Sequence, residues 1–141
     1  MPVIRNARTH WTGSLEDGGG KTAFVSSGLP DVDVTWASRA NDPDGKTSPE
    51  ELIAAAHATC YSMALSHGLT GAGFPPDSID TQASVEFTPG TGITGITLVC
   101  EASVPRIDLD AFTDIADKTK DGCPVSQALK AVPISLEATL R

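Results

Sequence analysis

A single long run of helix-forming residues, framed on both sides by segments that alternate in polarity, does most to limit what this chain can fold into. Ser48-Pro49-Glu50-Glu51 carries the start signal of a helix, with serine at the N-cap, proline at the first helical position and glutamate three residues past the cap. Behind it Leu52, Ala56, Cys60, Met63 and Ser66 or His67 recur at helical spacing, up to a stop predicted at Gly68. The middle of the run is rich in alanine and nearly uncharged, which predicts a central helix buried on most sides.

On either side the period changes to two. Residues 2–12 predict a first strand ending near Trp11, and Glu16-Asp17-Gly18-Gly19-Gly20 a turn, because glycine reaches positive φ without steric cost. Lys21–Ser27 then returns as a second strand, Val32–Trp36 forms a third, and Asn41–Lys46 is a polar loop. Downstream, Ser78–Phe87 and the alternating set Ile96, Leu98, Cys100, Ala102 and Val104 predict a hairpin turning at residues 88–92. Asp108 caps a second helix that turns Leu109, Phe112, Ile115 and Ala116 inward and ends at Gly122. Pro124–Lys130 predicts a short third helix, and Ile134, Leu136, Ala138 and Leu140 a last strand. The order βββ-α-ββ-α-α-β belongs to the α+β class rather than to a doubly wound parallel sheet. With 141 residues, no internal repeat and no linker, residues 1–141 are expected to form a single domain.

Charge removes some functions. A net charge of −8 argues against a nucleic-acid or anionic-membrane binder, since both partners reward Lys and Arg. The N-terminal residues lack the apolar core of a secretory signal, and no run approaches the ~18 apolar residues of a membrane span, so the cytoplasm is the expected location.

Three cysteines are odd in number and too few for a disulfide scaffold; without a secretory signal, they point to thiol redox chemistry. Cys60 lies about three turns into the Ala-rich helix. It reads equally as a small core hydrophobe or as a reactive thiol, and the second reading requires a nearby cation, because burial alone raises a thiol pKa. Cys123 precedes Pro124 and so takes the N-cap of the short helix, where unpaired N–H groups and the helix dipole favour a thiolate. Cys100 falls on the core face of its strand. Metal binding is the rival chemistry, yet His10, His57, His67 and the cysteines show no Cys-x-x-Cys or His-x-x-x-His spacing. His57, three residues before Cys60, could face it as the base of a Cys–His hydrolase, although neighbours three apart on a buried helix leave little room for a substrate.

The segments Pro49-Glu50-Glu51-Leu52-Ile53-Ala54-Ala55-Ala56-His57-Ala58-Thr59-Cys60-Tyr61 and Gly122-Cys123-Pro124-Val125-Ser126-Gln127-Ala128-Leu129-Lys130 resemble the two cysteine segments of the osmotically inducible protein C (OsmC) family, within the OsmC/Ohr superfamily. Further matches lie around Trp11-Thr12-Gly13, Ala72-Gly73-Phe74 and Ser78-Ile79-Asp80-Thr81, so the resemblance runs nearly end to end. It implies an OsmC/Ohr-like fold, with antiparallel sheets around a central helix that carries the reactive cysteine, in an intertwined homodimer. It also implies a thiol peroxidase of oxidative and osmotic stress defence that reduces organic hydroperoxides and hydrogen peroxide without metal, haem or flavin. By motif, Cys60 would be the peroxidatic cysteine, Cys123 would resolve its sulfenic acid as a disulfide, and a dithiol reductant of lipoyl type would restore both thiols. The family's Arg–Glu pair would fall on Arg39 and Glu50. Because Glu50 and Cys60 are ten residues, hence about 15 Å, apart along one helix, a shared site would draw its Glu50 from the second subunit. The other class in view is a redox-sensing or small-ligand-binding module without turnover.

Overall fold

Two sheets and four helices account for residues 1–141 in a computed structural model. Chain contacts gather into two units, Met1–Leu52 and Ile53–Arg141. No helix is long and apolar enough to cross a membrane.

The first unit is built on β1 (Arg8–Thr12), β2 (Gly19–Ala23) and β3 (Val32–Val34), an antiparallel sheet in the order β1-β2-β3. All three strands are shorter than their sequence patterns predict. Gly20 pairs with both Trp11 and Val34, and a Cβ there would meet Trp11 Cε3 at 2.8 Å, so only glycine lets the indole lie over β2. The short helix α1 (Trp36–Ala40) was not expected; it starts at a reciprocal capping box between Thr35 and Ser38. Ser38 Oγ also donates to the Thr47 carbonyl at 2.8 Å, pinning α1 to the segment that leads into the next helix.

Helix α2 (Pro49–Gly71) starts at the expected serine, whose Oγ accepts the Glu51 N–H at 3.1 Å. The reciprocal half of the predicted box is not made, because the Glu51 carboxylate takes the Thr47 hydroxyl at 2.6 Å. The helix passes Gly68 without stopping. That glycine serves close packing instead: a Cβ on it would sit 3.3 Å from Ile115 Cγ2. The stop comes at Gly73, at φ +93°, where Phe74 N–H reaches the Leu69 carbonyl at 2.8 Å and Gly73 N–H the Thr70 carbonyl at 3.0 Å. This is a Schellman ending.

In the second unit β4 (Ser78–Thr88) and β5 (Gly92–Ser103) form the expected antiparallel hairpin, with a bulge at Glu86/Phe87. Helix α3 (Leu109–Gly122), capped by Asp108 Oδ1 on the Ala111 N–H at 2.8 Å, and helix α4 (Pro124–Ala128) then carry the chain across to β6 (Ile134–Leu140), which joins β5 in parallel. The core lies between this sheet and the buried faces of α2 and α3, with Tyr61, Leu65, Leu98, Cys100, Ala102 and Phe112 among its members.

Two inward faces differ from expectation. On α2 the buried stripe is His57, Tyr61, Leu65 and Leu69, not the stripe through Leu52, Cys60 and Met63, and Met63 is 68% exposed. An Ala-rich helix offers little contrast between its faces, so tertiary partners choose the side; Tyr61 Oη donates to the Ala116 carbonyl at 3.1 Å. On α3 the buried residues are Phe112, Ala116 and Thr119, whereas Leu109, at the first helical position, points away and is exposed.

Candidate active site

Cysteines 60 and 123 meet at one cavity. The shift of the buried stripe rotates Cys60 to the edge of the α2 core face, where it is partly exposed. The Cys123 N–H donates to the Thr119 carbonyl at 2.9 Å and closes the last turn of α3, so that Cys123 is both the end of α3 and the N-cap of α4. Pro124 occupies the first position of α4 as expected. Both cysteines line a cavity of about 700 Å³ whose walls include Met63 and His67 from α2 and Ile115 and Lys118 from α3. Cys123 is fully buried in its wall. All three cysteines are free thiols, and Cys100 is buried in the core, as its strand pattern predicts.

The two thiols are electrostatically distinct. Burial raises the Cys60 pKa, and the hydrogen bond it makes to Cys123 raises it further, against a smaller lowering by the Val125 N–H. Burial also pushes on Cys123, but the Ser126 N–H, the Cys60 thiol, the Ser126 hydroxyl and the Val125 N–H together outweigh it and leave that thiol below its ordinary value. None of these contacts is tight enough to count as a side-chain cap of α4. Within this unit, then, burial holds the proton on Cys60, while the hydrogen bonds around Cys123 favour its thiolate.

His57 does not pair with Cys60. Its Nε2 lies 2.7 Å from Ser126 Oγ, a contact between residues 69 apart in sequence, and both side chains are buried. Its Nδ1 is buried with no partner, and burial lowers the imidazole pKa. Ser126 had drawn no role from sequence beyond its place in the second cysteine segment. The sign that could have found it is the Cys123–Ser126 spacing, N-cap to third helical position, at which a side chain returns to the cap. No group of three or more His, Cys, Asp or Glu side chains converges as metal ligands.

In the first unit, Arg39 and Glu50 come together. Arg39 Nε donates to Glu50 Oε1 at 3.0 Å and Oε2 at 3.1 Å, and Nη2 donates to Oε1 at 2.8 Å. Arg39 stands in the last turn of α1, just before the polar loop, so the guanidinium leaves a fixed backbone. The Glu50 side chain is 7% exposed and that of Arg39 30%. A guanidinium held in this forked geometry keeps its charge and its orientation together.

Comparison with known proteins places this geometry among relatives. A family model described as OsmC-like protein matches residues 41–137. Peroxiredoxin OsmC of Escherichia coli strain K12 is 44% identical over 144 aligned positions, covering 100% of this chain and 99% of that protein. The organic hydroperoxide resistance protein OhrB of Bacillus subtilis strain 168 is 27% identical over 90% of this chain and 96% of its own length. Among solved structures, the organic hydroperoxide resistance protein OsmC from Legionella pneumophila superposes with a TM-score of 0.71 at 22% identity, over 97% of each chain.

Proposed function

The chain belongs to the OsmC family and is a peroxiredoxin-like enzyme, and from that premise we propose that it reduces organic hydroperoxides, and hydrogen peroxide, through Cys60 and Cys123. The observation that carries the reading is the pairing of a partly exposed thiol with a fully buried one on a single apolar-walled cavity. A peroxide reaches Cys60 first. The Cys60 thiolate attacks the terminal oxygen of the O–O bond; the O–O bond breaks, alcohol leaves with a proton, and Cys60 becomes a sulfenic acid. The Cys123 thiolate then attacks the Cys60 sulfur, the S–O bond breaks, and hydroxide leaves as water once protonated. A dithiol of lipoyl type reduces the disulfide by two exchanges and is itself oxidised to a disulfide.

Cys60 needs a cation, because its surroundings in the second unit hold its proton on. Arg39, fixed by Glu50, supplies it in this reading, and helix length argues that the pair acting on one Cys60 comes from another subunit. The whole chain works as one peroxidase domain in a homodimer with two shared sites. Mixing Glu50→Ala chains with Cys60→Ser chains should restore about half-site activity, with one working site in each mixed dimer; no recovery would count against sharing. The direct test is consumption of cumene hydroperoxide with dihydrolipoamide, beside Cys60→Ser. Turnover by the wild type and none by the variant is the expected result. Absence of turnover with any dithiol, while both thiols remain titratable, would return the chain to the ligand-binding class.

A further inference from the structure

The peroxidase reading assigns nothing to the buried pair His57 and Ser126, which joins the middle of α2 to the first turn of α4. Their hydrogens can be placed by elimination. A buried imidazole with one partner is best served by the tautomer that leaves its orphan nitrogen as an acceptor, because unpaired buried N–H groups are the rarer exception. Nδ1 is that orphan, so the proton sits on Nε2, which donates to Ser126 Oγ. Ser126 Oγ, having accepted from the imidazole, keeps its single hydrogen for another acceptor. Cys123, at the N-cap of α4 three residues before it, is the side chain with which that hydroxyl interacts.

We propose that His57 and Ser126 are positioning residues for the resolving step: the imidazole Nε2–H fixes the Ser126 hydroxyl so that its hydrogen points at Cys123 and holds that residue as a thiolate aimed at Cys60. The proposal rests on the peroxidase reading and deepens it. The step served is Cys123–S⁻ attacking the sulfur of Cys60–SOH, with loss of hydroxide that takes up a proton to become water. The lowered pKa of Cys123 and the lowered pKa of His57, which keeps the imidazole neutral and its Nε2–H a simple donor, agree with this arrangement. The titratable groups that share the cavity with Cys123 are Cys60 and His67 on α2 and Lys118 on α3, Tyr61 lies near Cys123, and Lys120, Asp121 and Lys130 share a pocket with Ser126. Of these, only Cys60 adds to the lowering of Cys123.

The experiment is rapid mixing of the reduced full-length protein with one equivalent of cumene hydroperoxide across pH 5–9, with peroxide loss followed as a first phase and disulfide formation as a second. Sulfenic acid trapped by dimedone and weighed by mass spectrometry reports the species between them. Ser126→Ala should slow the second phase about tenfold at neutral pH and move its midpoint up by about one pH unit, the scale of one lost hydrogen bond to a charged group. His57→Leu should act in the same direction, while His57→Gln, whose amide can still donate to Ser126, should keep most of the wild-type rate. A purely structural role would lower the melting temperature in all three variants without moving the midpoint. An unchanged second phase and midpoint in Ser126→Ala would overturn the proposal, and this variant, which removes one oxygen, carries the test even if His57→Leu does not fold. Absence of the first phase in the wild type would overturn the peroxidase reading itself, and the proposal with it.

Discussion

The Arg39–Glu50 pair should be unequal in what each partner's loss costs. Arg39→Met keeps most of the apolar stem but strands a carboxylate whose side chain is 7% exposed, with all three of its hydrogen bonds from Arg39 gone. Breaking a buried pair in this way costs about 3–5 kcal/mol. Since Arg39 itself is 30% exposed, water can enter where it stood, and the lower end, about 3 kcal/mol, is the expected loss. Glu50→Gln is milder. The guanidinium can turn to solvent, and the amide oxygen still accepts from it, so about 1 kcal/mol is expected. The double variant carries no stranded charge and should regain about 1 kcal/mol over Arg39→Met. Equilibrium urea unfolding at one fixed protein concentration measures all three, the concentration being held because subunit association would otherwise shift the midpoint. With slopes of about 1–3 kcal/mol/M, Arg39→Met should lower the midpoint by about 1–3 M and Glu50→Gln by about a third of that. Equal losses in the two single variants, or a double variant less stable than Arg39→Met, would refute the view that the buried partner is the carboxylate.

Other perturbations follow from burial and titration. Phe112→Ala, at a fully buried core position, should cost about 3–5 kcal/mol, whereas Leu109→Ala on the same helix should stay within about 0.5 kcal/mol by thermal melting. His57 has a folded pKa below its ordinary 6.5, so the unfolded chain binds its proton more readily. The corresponding stability is fully present above about pH 6.5 and drains away as the pH falls toward the folded value. Urea midpoints measured at pH 7.5 and 5 should differ less in His57→Gln than in the wild type. Cys100→Ala should cost only about 1 kcal/mol and leave two titratable thiols and an unaltered peroxide-driven disulfide, because Cys100 packs in the core.

Local signals in the sequence were strong where one residue type does one job. Ser48 and Asp108 cap the helices they were expected to cap, Pro124 starts α4, and the alternation through Ile96 to Val104 gives β5. The failures arise where distant partners decide. Helix α1 is too short for a periodic pattern, and it stands because Thr35, Ser38 and the Thr47 carbonyl close on one another. The buried face of α2 could not be read from a run of alanines; Tyr61 finds Ala116 and His57 finds Ser126, contacts 55 and 69 residues apart. Alternation in β6 says nothing of its direction, and its parallel pairing with β5 follows from the crossover through α3 and α4. At the site, both cysteine segments were legible, and the bridge between them was not.

The chain length between the two cavity cysteines gives the catalytic cycle a mechanical side. A disulfide joining Cys60 to Cys123 would tie a loop of about 60 residues, spanning the β4–β5 hairpin and the whole of α3, and would reduce the freedom of the unfolded chain by about 4 kcal/mol on a loop-entropy basis. Each turnover would therefore alternate between a braced molecule and a slack one. The braced form is the one waiting for reductant, so starvation of reductant would leave the protein at its most resistant to proteolysis and heat.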